Sequence, residues 1–342
     1  MNHKTVKVLL LAFIVQLPIQ SENVASSESP AQTAVATSPI GKADLLANPY
    51  AVHDFEWRDA ARLRDVPARL YLPAEASADN PVPLVVFSHG IGGSRFGYSY
   101  LGKFWASRGY ASLHLQHIGS DRSLWTGNPL TLTWRLHDAA QDAEAIARAK
   151  DHHFALDQLL SDARFGSSID SARIVAAGHS YGANTTMLVT GAKVERNGES
   201  LSFLDPRIKA AILLSAPPFY GEQDNRKILG DVHLPSLHIT ATEDVIRVPG
   251  YFSAAADRIA IYDSMGEANG ADKTLVVFSG GSHSIFTDRG ATGGVALNPL
   301  VKDATCELSL AFIRRVLDGD ERALLLWPQR FASLVARFET RH

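Results

Sequence analysis

The sequence predicts an α/β protein built on a mostly parallel central sheet with helices on both faces. Two observations carry this. Short apolar runs alternate with helical patterns along most of the chain, as the crossover connections of a parallel sheet require. The residues able to do chemistry stand just after those runs, where open α/β sheets receive their ligands. The strand runs are ARLYLP (68–73), PLVVFS (83–88), YASLHLQ (110–116), ARIVAA (172–177), KAAILLS (209–215), PSLHIT (235–240) and KTLVVFS (273–279). Their short, β-branched or leucine-rich character fits strands buried on both faces. Helical patterns fall near 97–108, 138–161, 181–191, 253–264 and 304–317. No internal repeat is visible, and no linker interrupts residues 45–342.

The 342 residues, 46% apolar and 20% charged, are enough for a large core and exclude a disordered or fibrous chain. A net charge of -3 with no Lys/Arg-rich run leaves no electrostatic footprint for a nucleic acid. At the start, MNHKTVKVLLLAFIVQLPIQS places Lys4 and Lys7 before the apolar run Val8–Val15, too short to span a bilayer. This predicts a signal peptide over 1–21 and a periplasmic or secreted product, with no stable membrane insertion after cleavage. Residues 22–45, rich in Ser, Ala, Thr and Pro, read as a flexible leader, and 46–342 as the folded domain. Cys306 is the only cysteine, so no intrachain disulfide forms, and its helical context reads as a buried structural thiol.

Three glycine-rich segments follow strand runs. His89-Gly90-Ile91-Gly92-Gly93 comes after VVFS, the pentapeptide GHSYG (178–182) after ARIVAA, and Gly280-Gly281-Ser282-His283 after LVVFS. Glu243 and Asp244 follow LHITAT. A nucleophile, a carboxylate and an imidazole thus leave separate strands in the chain order Ser, Asp, His. Together GHSYG, FSHGIGGSR and GGSHS resemble an α/β-hydrolase over roughly residues 50–320. They are most similar to the dienelactone-hydrolase-like and platelet-activating-factor-acetylhydrolase-like serine esterases. The late GGSHS also resembles cutinase-like polyester hydrolases. The resemblance implies an α/β-hydrolase fold, and with only about twenty residues between LLSAPP and LPSLHIT there is no room for a large helical cap. In acetylhydrolases of this group the acid follows the strand after the elbow helix. Here that strand ends LLSAPPFY, without a carboxylate, and the acid must come from the next strand end, as in the polyester hydrolases.

The chemistry assigns roles. Ser180 is the candidate nucleophile and needs a base within hydrogen-bond reach. His283 is that base, and Asp244 the acid that fixes its tautomer. Glu243 leaves the strand on the opposite side from Asp244, and Asp205 and Asp263 are further alternatives. The backbone N–H groups of Ile91 and Tyr181 are the candidate oxyanion donors. Gly90 and Gly92 let substrate approach that backbone. Trp125 and Trp134, in the loop 118–136, either line the mouth of the cleft or pack the loop onto the domain. Segments VIRVPGYF and IFTDRGATGG are further candidate walls. Thirteen histidines raise the question of a metal, but His114 and His117 face apart on a strand and His152 and His153 diverge on a helix. His89 and His179 read as hydrogen-bonded supports. The expectation is an exported serine carboxylester hydrolase for short-acyl or small esters, with no metal and no cofactor. Alternatives are a serine peptidase or amidase, a polyester hydrolase, and a non-catalytic binding member of the fold.

Overall fold

Alternation is visible in the strands that the sequence marks. In β3 (Val82–Ser88), Val85 and Phe87 face one side of the sheet and Leu84 and Val86 the other, and all four are buried. The same two-sided burial holds for β4 (Ala111–Leu115), the buried end of β5 (Ile169–His179), β8 (Ile208–Leu214), β9 (Ser236–Glu243) and β12 (Lys273–Ser282). These strands run parallel in the order β4-β3-β5-β8-β9-β12. Antiparallel strands extend both edges: β1 (Tyr50–Asp59) and β2 (Arg64–Pro73) beside β4, and β13 (Val335–Arg341) beside β12. Two small hairpins stand apart, β6 (Lys193–Arg196) with β7 (Glu199–Ser202), and β10 (Ile246–Val248) with β11 (Tyr251–Ser253).

Helices cover both faces. One face packs against α1 (Ser99–Ala106), α7 (Asn298–Asp318) and α8 (Arg322–Arg330), through residues such as Trp105, Phe312 and Trp327. The other carries α3 (Asp142–Ser161), α4 (Tyr181–Val189), α5 (Asn225–Leu229) and α6 (Ala255–Ser264). A short helix, α2 (Leu132–Ala139), precedes α3. This computed structural model describes residues 49–196, 198–222, 224–248, 251–290 and 292–341, which fall in one compact unit. The expected signal peptide, the leader and residues 46–48 lie outside the described residues. None of the described helices is long and apolar enough to cross a membrane.

The strand order fixes where a ligand belongs. The chain leaves β3 to form β4 on one side and returns to form β5 on the other. The carboxyl ends of β3 and β5 therefore diverge into a crevice, the position where open α/β sheets bind ligands. Ser88-His89-Gly90-Ile91 and His179-Ser180 sit there.

Candidate active site

Ser180 occupies a backbone conformation that few residues adopt, φ 54° and ψ −123°, at the junction of β5 and α4. Such a conformation costs about 1–3 kcal/mol and persists only where its surroundings over-determine it. They do so here. The Ser180 N–H donates to Leu214 C=O at 2.9 Å, continuing the β5–β8 ladder through the turn. A Cβ on Gly178 would lie 2.2 Å from Gly182 O, and one on Gly182 would lie 1.8 Å from Ser88 O. Both glycines of GHSYG are thus required by contact: Gly178 because α4 turns back onto the end of β5, and Gly182 because α4 crosses the end of β3 too closely for any side chain.

His283 reaches the serine from the end of β12. Its Nε2 accepts the Ser180 hydroxyl proton at 2.8 Å, and its Nδ1–H donates to Asp244 Oδ1 at 2.7 Å. Gly280 and Gly281, at φ 74° and 87°, turn the chain back over the sheet edge so that the ring arrives there. Asp244 is fully buried just beyond β9, while Glu243 beside it is exposed. The second Asp244 oxygen accepts from Thr240 Oγ1 at 2.7 Å, and Arg258 Nη2 lies 3.5 Å from Oδ1. Burial pushes this carboxyl up, but the hydrogen bond from His283 and the Arg258 guanidinium outweigh it and hold it well below the usual carboxylate range. Asp205 lies elsewhere, bonded to Arg207 and His153, and Asp263 pairs with Arg341.

Ile91 and Tyr181 line the same crevice as Ser180 and His283. Tyr181 is the first residue of α4, so its N–H has no intrahelical acceptor. In the turn after β3, Gly92 N–H donates to Ser120 C=O and Gly93 N–H to Gly90 C=O. That leaves the Ile91 N–H as the donor of this turn without a protein acceptor among the described residues. Gly90 brings the turn close, since a Cβ there would stand 3.2 Å from Ser180 Cβ.

Buried histidines tie the three loops together. The Gly90 N–H donates to Tyr98 Oη at 3.4 Å, the Tyr98 hydroxyl to His179 Nδ1 at 2.8 Å, and His179 Nε2–H to the His283 carbonyl at 3.0 Å. Burial pushes His179 down to about 3, so it stays neutral and keeps this tautomer. His89 donates from Nδ1 to Gly90 C=O and accepts the His117 N–H on Nε2. Burial drives its protonation well below the ordinary histidine range. Among the described residues, no group of three or more His, Cys, Asp or Glu side chains is placed to hold a metal ion.

The crevice opens into a cavity of about 210 Å³ with mostly apolar walls. Leu136 and Ala140 come from α2 and the turn after it, Pro217 to Tyr220 from the loop after β8, and Ile246 and Tyr251 from the β10–β11 hairpin. Arg196 on β6 is among the polar residues of the lining, bonded to Asp142, which lines it too, and to Glu222. Trp125 and Trp134 are not on these walls, so of their two readings, lining the cleft or packing the loop, the first is the one corrected. Trp125 instead packs under the turn after β3, its indole N–H donating to Gly92 C=O at 2.8 Å, and Trp134 is 77% exposed on α2. Gly92 is likewise no substrate wall, for its open side is filled by the Trp125 ring. The segment after His283 is a tie rather than a wall: Asn298 Nδ2 holds the carbonyls of Ile285, Arg289 and Thr292. In the absence of a large cap among the described residues, α2 and the two hairpins contribute to the walls of the cavity. Arg196 and Tyr220 gave no signal in the sequence, since hairpin and loop residues carry no periodicity that points them at a site, and Leu136 lies on a helix too short for its pattern to be read.

The sheet order, the strained serine turn and the imidazole at its hydroxyl define the class: a serine hydrolase of the α/β-hydrolase fold. Residues 65–153 match the model of the family described as platelet-activating factor acetylhydrolase, isoform II. The match runs from β2 into α3 and stops short of Ser180. The acetylhydrolases of that family cleave ester bonds, which is consistent with a carboxylesterase-like serine hydrolase here. No curated protein matches the chain significantly.

Proposed function

We propose that this protein is an exported carboxylester hydrolase that cleaves small or short-acyl esters through a Ser180–His283–Asp244 triad and an acyl-enzyme. The observation that carries the reading is the unbroken relay from buried Asp244 to His283 to Ser180 at 2.7 and 2.8 Å. Ser180 Oγ attacks the ester carbonyl while its proton passes to His283 Nε2. The carbonyl oxygen takes up the negative charge between the N–H groups of Ile91 and Tyr181. Collapse of the tetrahedral species breaks the C–O bond, and His283 returns the proton to the departing alcohol. Water then enters by the same steps and releases the acid. Asp244 keeps the Nδ1–H tautomer and stabilises the imidazolium.

A cavity of about 210 Å³ is smaller than the roughly 300–1,000 Å³ typical of pockets for drug-sized ligands. Its size supports an acyl group from acetyl to hexanoyl. The basic and apolar start of the chain supports export to the periplasm or medium.

The test is hydrolysis of a p-nitrophenyl ester series from acetyl to palmitoyl, with the matching anilides, alongside fluorophosphonate labelling. We expect one labelled serine, kcat/KM highest at six carbons or fewer, and anilides cleaved far more slowly. A maximum at twelve carbons or longer would overturn the substrate assignment, and labelling away from Ser180 the mechanism.

A further inference from the structure

Arg148 is fully buried on α3, yet its guanidinium meets no carboxylate directly. Its three hydrogen bonds go to neutral oxygens: Nη2 to His89 C=O at 2.5 Å, Nη1 to Ser120 Oγ at 2.8 Å, and Nε to Thr185 Oγ1 at 2.9 Å. Burying a charge is costly unless its donors are satisfied with good geometry. What these acceptors have in common is their place in the chain. His89 precedes the Gly90-Ile91 turn. Ser120 accepts the Gly92 N–H on its carbonyl at 2.8 Å, pinning the other end of that turn. Thr185 passes the contact on, its hydroxyl donating to Tyr181 C=O at 3.2 Å. The guanidinium also lies over the Tyr181 ring, 4.4 Å from its centroid.

We infer that Arg148 is a positioning residue that sets the spacing between the two oxyanion donors, the backbone N–H groups of Ile91 and Tyr181. One planar fork grips both sides of the turn that carries the first donor and the opening turn of the helix that carries the second. Planarity matters, because three acceptors at fixed directions suit a guanidinium and not an ammonium. The anchor of the fork is itself braced. Ser120 Oγ donates to Glu144 Oε1 at 2.7 Å, and Arg64 bridges Glu144 to Asp151. Glu144, Arg148 and Asp151 share one face of α3 at i, i+4 and i+7, so the helix delivers the whole set inward. Donor spacing has little bearing on the ground-state ester and much on the tetrahedral oxyanion. Loss of Arg148 should therefore act on kcat.

This inference rests on the serine esterase reading, and the experiment separates the two. The full-length protein and its Arg148→Met, Arg148→Lys and Ser120→Ala variants are titrated with a fluorophosphonate to count competent serines. Rates are then expressed per titrated site. For Arg148→Met, kcat per site should fall about 10- to 100-fold with KM within about threefold, less than the roughly 10²–10³ of deleting a donor outright. Affinity for a trifluoromethyl ketone, which forms the tetrahedral adduct, should fall in parallel with kcat/KM. Arg148→Lys should lie between Met and wild type, and Ser120→Ala, which keeps the guanidinium, should lose about three- to tenfold. A purely structural role would instead lower the titratable fraction and leave kcat per site and ketone affinity unchanged, which would overturn the inference. If Arg148→Met does not fold, an unchanged kcat per site and ketone affinity in both Arg148→Lys and Ser120→Ala overturn it equally. Wild-type protein that does not label at all would sink the esterase reading instead.

Discussion

At the scale of single residues the site separates neighbours that the sequence can barely tell apart. Asp244 and Glu243 are adjacent carboxylates, but only Asp244 is buried and bonded to His283. Asp244→Asn should lower kcat by about 10⁴-fold, because the amide favours the wrong imidazole tautomer. Glu243→Gln should change it less than about threefold, in steady-state assays of the same ester. The reverse ranking would move the acid to Glu243. Ser180→Ala should lose labelling and about 10⁶-fold in kcat, while its urea unfolding midpoint stays at or above that of wild type, since alanine has no more need of φ 54° than serine. A collapse in stability would show that Ser180 holds the fold and would leave its lost activity uninformative. Cys306 has no part in this chemistry: burial pushes its thiol far up and out of the reactive range. Thiol reagents at neutral pH should leave turnover intact.

At the scale of elements, the turn between β5 and α4 is a contact between backbones. A methyl on Gly182 would overlap Ser88 O, which belongs to the neighbouring strand rather than to a movable side chain. Gly182→Ala should therefore cost about 3 kcal/mol or more in urea unfolding, at the upper end of overpacking, and lower the labelling rate of Ser180 as the helix shifts. Gly198→Ala, on an open hairpin turn with nothing within 4 Å, is the control; its φ of 80° should cost it only about 1 kcal/mol. A cost for Gly182→Ala no larger than that of Gly198→Ala would mean that the backbone contact does not select Gly182. The same contrast explains what was legible. Buried parallel strands such as β3 and β8 read as continuous apolar runs, and the glycines beside Ser180 and His283 mark turns that no other residue can make. Edge strands do not read this way. β1 alternates toward solvent as YAVHDFEWRD, and β13 is VARFETR, with three charged residues in seven. Its partners, not its composition, make it a strand. The hairpins β6–β7 and β10–β11 are shorter than any reliable period, yet they lend Arg196, Ile246 and Tyr251 to the cavity wall. The helical pattern 138–161 proved to be the end of α2 and all of α3, broken at Ala140-Gln141 where the chain turns toward the site.

For the molecule as a whole, the consequence of so many buried polar groups is a dependence on pH. His89, His114, His117, His152, His179 and His238 are all buried, and burial lowers each of them, His114 to about 4 and His152, His179 and His238 to about 3. In the unfolded chain these rings take up protons below about pH 6.5. The folded state refuses them, so the stabilisation is full above pH 6.5 and is lost as pH falls toward the folded values, by up to about 1.4 kcal/mol per pH unit for each ring. His153 opposes this, because its bond to Asp205 raises it, but it is one ring against six. The lowered carboxyls of Asp205 and Asp244 respond only below the ordinary carboxylate range, so between pH 7.5 and 5.5 the histidines dominate. The urea midpoint should fall steeply across that window. His152 gives the cleanest check, since neither ring nitrogen has a hydrogen-bond partner among the described residues. His152→Leu removes one proton-linked ring without breaking a bond, so it should gain on wild type by about 1 kcal/mol or more at pH 5.5 compared with pH 7.5. An unfolding midpoint that is flat across the window, or a His152→Leu difference that does not change with pH, would mean that the buried rings find their protons inside the fold.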